Sequence, residues 1–328
     1  MTRTLRATSE SWPLLRPFAI ANANWTESLL VTVEIRDGEA RGRGECSPEE
    51  RYDETAASVL AQIESVRAAI ERGAGREELQ RLLPHGAARN AVDCALWDLK
   101  AKQKCYSAAD LAGRPPLLPQ RTAFTIVLGS PAAMAEQVRQ MSNYPLLKLK
   151  LGGDDGDIAR VEAVRRVAPA AKLIVDANEA WSVEHYRACV PHLRRLGVEL
   201  IEQPLHADAD EALAMLPRPI PVCADESCHT TADLDRIAGR YDFINIKLDK
   251  TGGLTEALRL AEAASSRGYG LMIGCQIGTS LSMAPAHLIA QCCDYVDLDA
   301  PLFFARDREH PMHYRDGVLF PPDYDLWG

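Results

Sequence analysis

From residue 122 onward, short apolar runs end in a polar residue and recur at a steady interval. Leu147-Lys148-Leu149-Lys150 is followed by Leu173-Ile174-Val175-Asp176, Leu200-Ile201-Glu202, Val222-Cys223-Ala224-Asp225, Ile244-Asn245-Ile246-Lys247, Leu271-Met272-Ile273-Gly274 and Tyr295-Val296-Asp297. Counted from Lys150, the steps are 26, 26, 23, 22, 27 and 23 residues. One strand, one helix and two short loops need about that length. With 122–127 as the first strand and 132–141 as the first helix, the beat predicts a parallel (β/α) barrel over 119–310. Polar residues at the carboxyl ends of such strands read as an active site.

Residues 1–118 do not keep this beat. Positions 28–35 alternate and are rich in β-formers, Arg36-Asp37-Gly38-Glu39 signals a turn, and 41–46 return as the paired strand. Helical periodicity covers 54–72 and 85–104, and small residues on the second (Ala87, Ala88, Ala91, Ala95) suit close packing. Strands first and helices second predict a separate α+β cap domain. Gly113-Arg114-Pro115-Pro116-Leu117-Leu118-Pro119 marks the linker, and the tail 311–328, without helical period, is expected to pack back on the cap.

Composition narrows the function classes. Hydrophobic residues are 47% of 328 and charged residues 25%, as in ordinary soluble globular proteins. A net charge of −9 argues against nucleic acid or an anionic membrane as partner. No apolar run approaches the ~18 residues of a membrane span. No signal peptide is visible, since Met1-Thr2-Arg3-Thr4-Leu5-Arg6 leads into no apolar stretch. The nine cysteines are odd in number and contain no CxxC, and Cys223 and Cys228 are too isolated for a zinc site. They read as small buried hydrophobes in a reducing cytoplasm.

The polar strand ends carry the chemistry. Lys148 and Lys150 point to one face of a strand, and their mutual repulsion is expected to lower the proton affinity of at least one. Asp176, Glu202 and Asp225 end three consecutive strands about 4.8 Å apart. They can converge on one cation, and all-oxygen ligands favour Mg²⁺ over zinc; the alternative is three helix N-caps. Lys247 lies four strands from Lys150, across the mouth of an eightfold barrel. A carbon held between them would meet an ammonium or amine on each face, which suits removal of an α-proton from one side and its return from the other, through an enediolate. Asp297 and Asp299 point to one side of the last strand, away from the cation, and can hold a substrate ammonium or form a turn. The rivals are a barrel whose lysines only neutralise a phosphate or sugar acid, and a Schiff-base lyase working through Lys247 or Lys150.

With these residues the sequence resembles the enolase superfamily, and within it the dipeptide epimerases of the L-Ala-D/L-Glu type. The motifs are Lys148-Leu-Lys150, Asp176-Ala-Asn178, Glu202-Gln203-Pro204, Asp225-Glu226-Ser227, Asn245-Ile-Lys247-Leu-Asp249-Lys250 and Asp297-Leu-Asp299. The resemblance implies a modified (β/α)7β TIM-like barrel under an α+β cap. It implies one Mg²⁺ per subunit on Asp176, Glu202 and Asp225, acid/base roles for Lys150 and Lys247, and an assisting role for Lys148. Asp297 and Asp299 would take the α-ammonium of a dipeptide, Asn178 would line the substrate, and cap loops near 16–27 and 48–53 would close over it. A homo-oligomer is also implied. Other activities of the subgroup are o-succinylbenzoate synthase, cycloisomerase and N-acylamino acid racemase, whose substrates carry no ammonium for the Asp pair. One departure stands out: Trp25 falls at or beside the position, near residue 24, where the Ala-Glu enzymes are expected to carry an arginine for the glutamate side chain. Trp cannot clamp a carboxylate but can stack on apolar or cationic groups, or simply pack in the cap. Arg16 and Arg51 are the basic residues that could stand in for it.

Overall fold

The computed structural model describes residues 3–141 and 143–328. The chain opens with an antiparallel sheet of β1 (Thr4–Ala19), β2 (Asn24–Asp37) and β3 (Ala40–Cys46), in that order. The hairpin of β2 and β3 was expected; β1 was not. It is an edge strand interrupted by Pro13, and most of its side chains are exposed or half-exposed, so no alternating pattern marks it. Helices α1 (Ala56–Glu71), α2 (Arg76–Leu82) and α3 (Ala87–Lys104) follow. Thr55 caps α1 through a reciprocal pair with Ser58, which sets the start two residues beyond the periodicity. The short α2 buries only Leu79, too little for a sequence signal.

The cap core lies between this sheet and α1 and α3, with Val31, Val33 and Ile35 against Ile63, Ile70 and Val92. Gly42 and Gly44 let α3 rest directly on β3: a Cβ at either would lie 2.1 Å from the carbonyl oxygens of Ala95 and Ala91. That contact is why the facing positions of α3 are alanines.

After α4 (Ala108–Leu111) and β4 (Gln120–Arg121) comes the barrel. Its strands are β5 (Phe124–Ile126), β6 (Leu146–Lys150), β7 (Lys172–Asp176), β8 (Val198–Glu202), β9 (Val222–Ala224), β10 (Phe243–Ile246), β11 (Gly270–Ile273) and β12 (Tyr295–Val296). They form one parallel sheet in sequence order. The Ala123 N–H donates to Val296 O at 2.8 Å, and the Thr125 N–H to the Asp299 carboxylate at 2.5 Å, joining the last strand to the first. Helices α5 (Pro131–Gln140), α6 (Asp157–Val167), α7 (Val183–Arg195), α8 (Leu248–Thr251), α9 (Leu254–Ser266) and α10 (Ser280–Ala290) cover the outside. After β8 and β9 only short 3₁₀ turns follow. These steps, 23 and 22 residues, are among the three shortest of the sequence beat, and Pro217, Pro219 and Pro221 break the first of them.

The tail pairs β13 (Tyr314–Arg315) and β14 (Val318–Leu319) with β4, then lies against α3. There the Trp327 indole N–H donates to Cys94 O at 3.1 Å, and Arg43 donates to Asp325 O and Leu326 O at 2.7 and 2.5 Å. All nine cysteines are free thiols. Among the described residues no helix is long and apolar enough to cross a membrane.

Candidate active site

Side chains on a strand alternate, so each barrel strand sends every second residue inward. Low in the barrel these are Ala123, Leu146, Ile174, Leu200, Cys223 and Met272, an apolar floor. One step further along each strand they become Thr125, Lys148, Asp176, Glu202, Asp225 and Gly274, with Lys150, Lys247 and Asp297 beside them. The charged residues of this mouth are all buried.

Lys148 sits at the centre. Its Nζ lies 3.1 Å from Asp176, 2.8 Å from Glu202 and 2.8 Å from Asp297. Burial works against its charge, but these carboxylates hold its proton well above the usual lysine range. The expected lowering by a neighbouring ammonium is therefore absent at Lys148, because three carboxylates outweigh one cation. They also compete with one another. Burial and the charge of Asp176 push Glu202 up to about 7, whereas at Asp176 the lysines Lys150 and Lys148 overcome burial and hold it at about 2.

Lys150 donates to Asp176 at 2.7 Å and to Asn178 Oδ1 at 3.2 Å. Across the mouth, Lys247 donates to Asp225 Oδ2 at 2.6 Å. Despite burial, Asp225 raises the Lys247 pKa, and Lys247 and Lys250 hold Asp225 well below the usual carboxylate range. Glu202 Oε2 and Asp225 Oδ1 are buried without a well-directed hydrogen bond, although ammonium groups stand 2.8 and 2.7 Å away. The three carboxylates do not draw to within 4.8 Å of one another as a set; among the described residues the one such trio of potential metal ligands is His310, Asp323 and Asp325, exposed on the surface.

Asp297 is not apart from this cluster, as the strand pattern suggested, but shares Lys148 with Asp176 and Glu202. Asp299 accepts from the Thr125 N–H, and burial beside Asp297 pushes it up to about 7. The motifs gave no role to three further residues. Asn245 donates to Glu202 at 2.8 Å. Lys250 sits 2.7 Å from Asp225 Oδ1 and donates to the carbonyls of Asp225, Cys228 (2.9 Å) and Asn245 (3.0 Å). Glu226 faces the cavity with Oε2 unpartnered, and burial and the nearby Asp225 push it well above the usual carboxylate range. Asn245 could have been found by its inward register, two before Lys247; Lys250 by its position one helical turn after Lys247.

Above the mouth is a cavity of about 650 Å³, walled by cap and barrel. One wall is aromatic: Phe18 packs edge-on against Phe303 at 4.9 Å and lies 6.4 Å from half-buried Trp25. The expected loop over 16–27 is mostly strand, since β1 runs to Ala19, β2 starts at Asn24, and only 20–23 form the connecting arch. The other wall is the loop 48–52 with Glu49, Arg51 and Tyr52. Neither candidate arginine offers the cavity a free cation. Arg16 lies on the surface 3.4 Å from Gln140, and Arg51 is paired with Glu179.

Eight parallel strands with a ring of buried lysines and carboxylates at their carboxyl ends define an enolase-type barrel. Residues 132–325 match the enolase C-terminal domain-like family, and residues 2–113 match the mandelate racemase / muconate lactonizing enzyme N-terminal domain. The chain belongs to this enolase-superfamily group. It is 47% identical over 322 residues to the L-Ala-D/L-Glu epimerase of Escherichia coli K12, covering 97% of this chain and 99% of that one. A structure of an enolase family member from Agrobacterium tumefaciens with homology to dipeptide epimerases, with sodium and L-Ala-L-Glu bound, superposes with a TM-score of 0.97 at 46% identity, covering 99% and 100% of the two chains. The dipeptide epimerase from Methylococcus capsulatus, complexed with Mg and L-Arg-D-Lys, gives 0.91 at 31% identity, covering 98% of each.

Proposed function

We propose that the protein is a dipeptide epimerase that depends on a divalent cation and inverts the α-carbon of the C-terminal residue. The observation that carries this reading is the opposition of Lys150 and Lys247, at the ends of β6 and β10, with Asp176, Glu202 and Asp225 on the three strands between them. In this reading the cap (1–118 with 311–328) covers the mouth of the barrel (119–310).

Asp176, Glu202 and Asp225 would hold the cation. Two of their oxygens are buried without a directed donor, and a carboxylate set of this kind suits Mg²⁺. When bound, Mg²⁺ supplies a Lewis acid for the substrate carboxylate. Ligating the cation would leave these carboxylates with fewer oxygens for Lys150 and Lys247. One of Lys150 and Lys247 then takes the α-proton, and the other returns one to the opposite face; Lys148 neutralises the substrate carboxylate. Asp297 and Asp299 orient the α-ammonium, with Thr125 fixing the pair. That ammonium site separates a dipeptide from the N-acylated amino acids, which lack the charge.

The C-terminal side chain meets the Phe18, Trp25 and Phe303 wall. The three lysines lining the cavity are taken up by the reacting carbon and the substrate carboxylate, and its remaining cation, Arg51, is paired with Glu179. A glutamate side chain would be buried without a free partner, whereas an aromatic pair adds about 0.5–1.5 kcal/mol beyond area burial. The preferred substrate is thus an L-Ala dipeptide with an apolar C-terminal residue.

The test is deuterium incorporation from D₂O into L-Ala-L-Phe, L-Ala-L-Glu and N-acetyl-L-glutamate, with chelated protein and after Mg²⁺ is restored. Incorporation is expected only with the cation, and fastest for L-Ala-L-Phe. Full turnover after chelation overturns the metal role, and faster exchange of the N-acetyl substrate makes the protein an amino acid racemase. If L-Ala-L-Glu leads by about tenfold in kcat/KM, some 1.4 kcal/mol of discrimination, Trp25 only packs in the cap.

A further inference from the structure

We propose that Glu179 is a positioning residue that ties the cap loop 48–53 to Lys150, and so sets one of the two proton-transfer faces. This rests on the two-base reading above.

Glu179 follows β7 in the loop of Asp176. Its side chain is 5% exposed, and it takes Arg51 in bidentate fashion, Nε to Oε2 at 2.6 Å and Nη2 to Oε1 at 2.8 Å. Oε1 also accepts from the Ala207 N–H, 2.8 Å away in the loop after β8. One carboxylate therefore fastens the cap loop and two barrel loops together. Paired Arg–carboxylate bonds are the directional kind, so the contact fixes orientation as well as distance.

The backbone shows where that constraint goes. Asn178 and Glu179 are both left-handed, with φ of 42° and 67°. Asn takes this conformation readily, but a glutamate rarely holds it unless its surroundings enforce it. The enforcing bonds are the Glu179 N–H to Gln203 O and the Asn178 N–H to Asp176 Oδ1, each 2.9 Å, with the Glu179 carboxylate pinned at the far end. Asn178 Oδ1 in turn lies 3.2 Å from Lys150 Nζ, whose other hydrogen bond goes to Asp176. The path is Arg51, Glu179, Asn178, Lys150. Lys247 lies off it, held by Asp225 on β10's side of the mouth. Arg51 is thereby a latch and not a receptor for a substrate carboxylate.

The path predicts an asymmetry that general loosening of the cavity would not produce. Lys150→Ala and Lys247→Ala should abolish deuterium exchange of opposite epimers of the dipeptide. Glu179→Gln and Arg51→Met should slow exchange of the epimer lost in Lys150→Ala by about tenfold, the size expected when a reacting group is misplaced by a fraction of an ångström. They should leave the other epimer near the wild-type rate. The double variant should be no slower than the worse single one, and Arg51→Lys, which keeps one charged donor, should recover part of the loss. Thermal unfolding of each variant reports whether it folds, and Arg51→Lys alone carries the test if the others do not. Equal slowing of both epimers, wild-type rates for the variants, or multiplying effects in the double variant each overturn the latch while leaving the two-base reading intact. Loss of both epimers alike in Lys150→Ala and Lys247→Ala overturns that reading, and the latch with it.

Discussion

The floor and the mouth of the barrel are built from the same strands and differ in everything else. Two residues before Asp176, Glu202 and Asp225 stand Ile174, Leu200 and Cys223, fully buried with no charge among them. The floor keeps its sheet partners by filling space. The mouth keeps lysines and carboxylates out of water by giving each at least one opposite charge, and Lys148 three. Buried charges are tolerated only under that condition. The floor also serves the mouth, because a dry, low-dielectric base strengthens every interaction above it. Stability and chemistry are thus separated by one step of the side-chain alternation.

The largest break of this comparison comes from the mouth. Lys247→Ala is expected to cut net epimerisation by about 10²–10⁴-fold, the usual worth of a general acid or base. Asp225 keeps Lys250 at 2.7 Å, so the thermal midpoint should change little. Steady-state kinetics with calorimetry on the same sample checks both halves; a collapse of the fold would show that the mouth carries stability too.

The floor should behave in the opposite way. Leu200→Ala leaves a hole among Leu146, Ile174 and Cys223, at a cost of about 2–5 kcal/mol in unfolding free energy. The variant that remains folded should retain most of its kcat. If denaturant titration shows wild-type stability while kcat falls, the division between layers is wrong.

The smallest effect sharpens the rule for buried carboxylates. Asp93 on α3 is buried like Asp225, but its hydrogen bonds come from Thr255 and Gln80 and not from lysines. Burial raises it to about 6. A carboxyl raised on folding favours the protonated form, so its contribution is present below pH 3.8 and is lost as pH climbs through about 6. Between those limits the wild type should lose on the order of 2–3 kcal/mol relative to Asp93→Asn. The measurement is the difference in unfolding free energy between the two proteins across that window. A flat difference means the carboxyl stays ionised throughout.

Much of this could be read before the structure. The strand ends are legible because the beat and the alternation are local, and the positions of Lys150, Asp176, Glu202, Asp225 and Lys247 follow from counting. The state of Lys148 is not legible: its three carboxylates come from β7, β8 and the far side of β12, up to 149 residues away. Trp25 could be noticed as a departure, but its place beside Phe18 depends on β1, an edge strand with little hydrophobic pattern. The Arg51–Glu179 pair likewise joins residues 128 apart across cap and barrel, and neither partner has a local signature.

The seam between cap and barrel has a mechanical consequence. It is sewn by buried polar bonds: Arg89 to the carbonyls of Gly252 and Thr251, Asp93 to Thr255, Asn90 to Asp249, and Glu45 to Thr279 and Arg308. Swinging the cap open as a rigid body would break all of these at once, at about 0.5–1.5 kcal/mol net for each hydrogen bond. The cap therefore does not hinge. The arch at 20–23 lines the cavity and is tied mainly to itself, Ile20 N–H to Ala23 O, so on the proposed function substrate is expected to enter by its displacement while the seam stays shut.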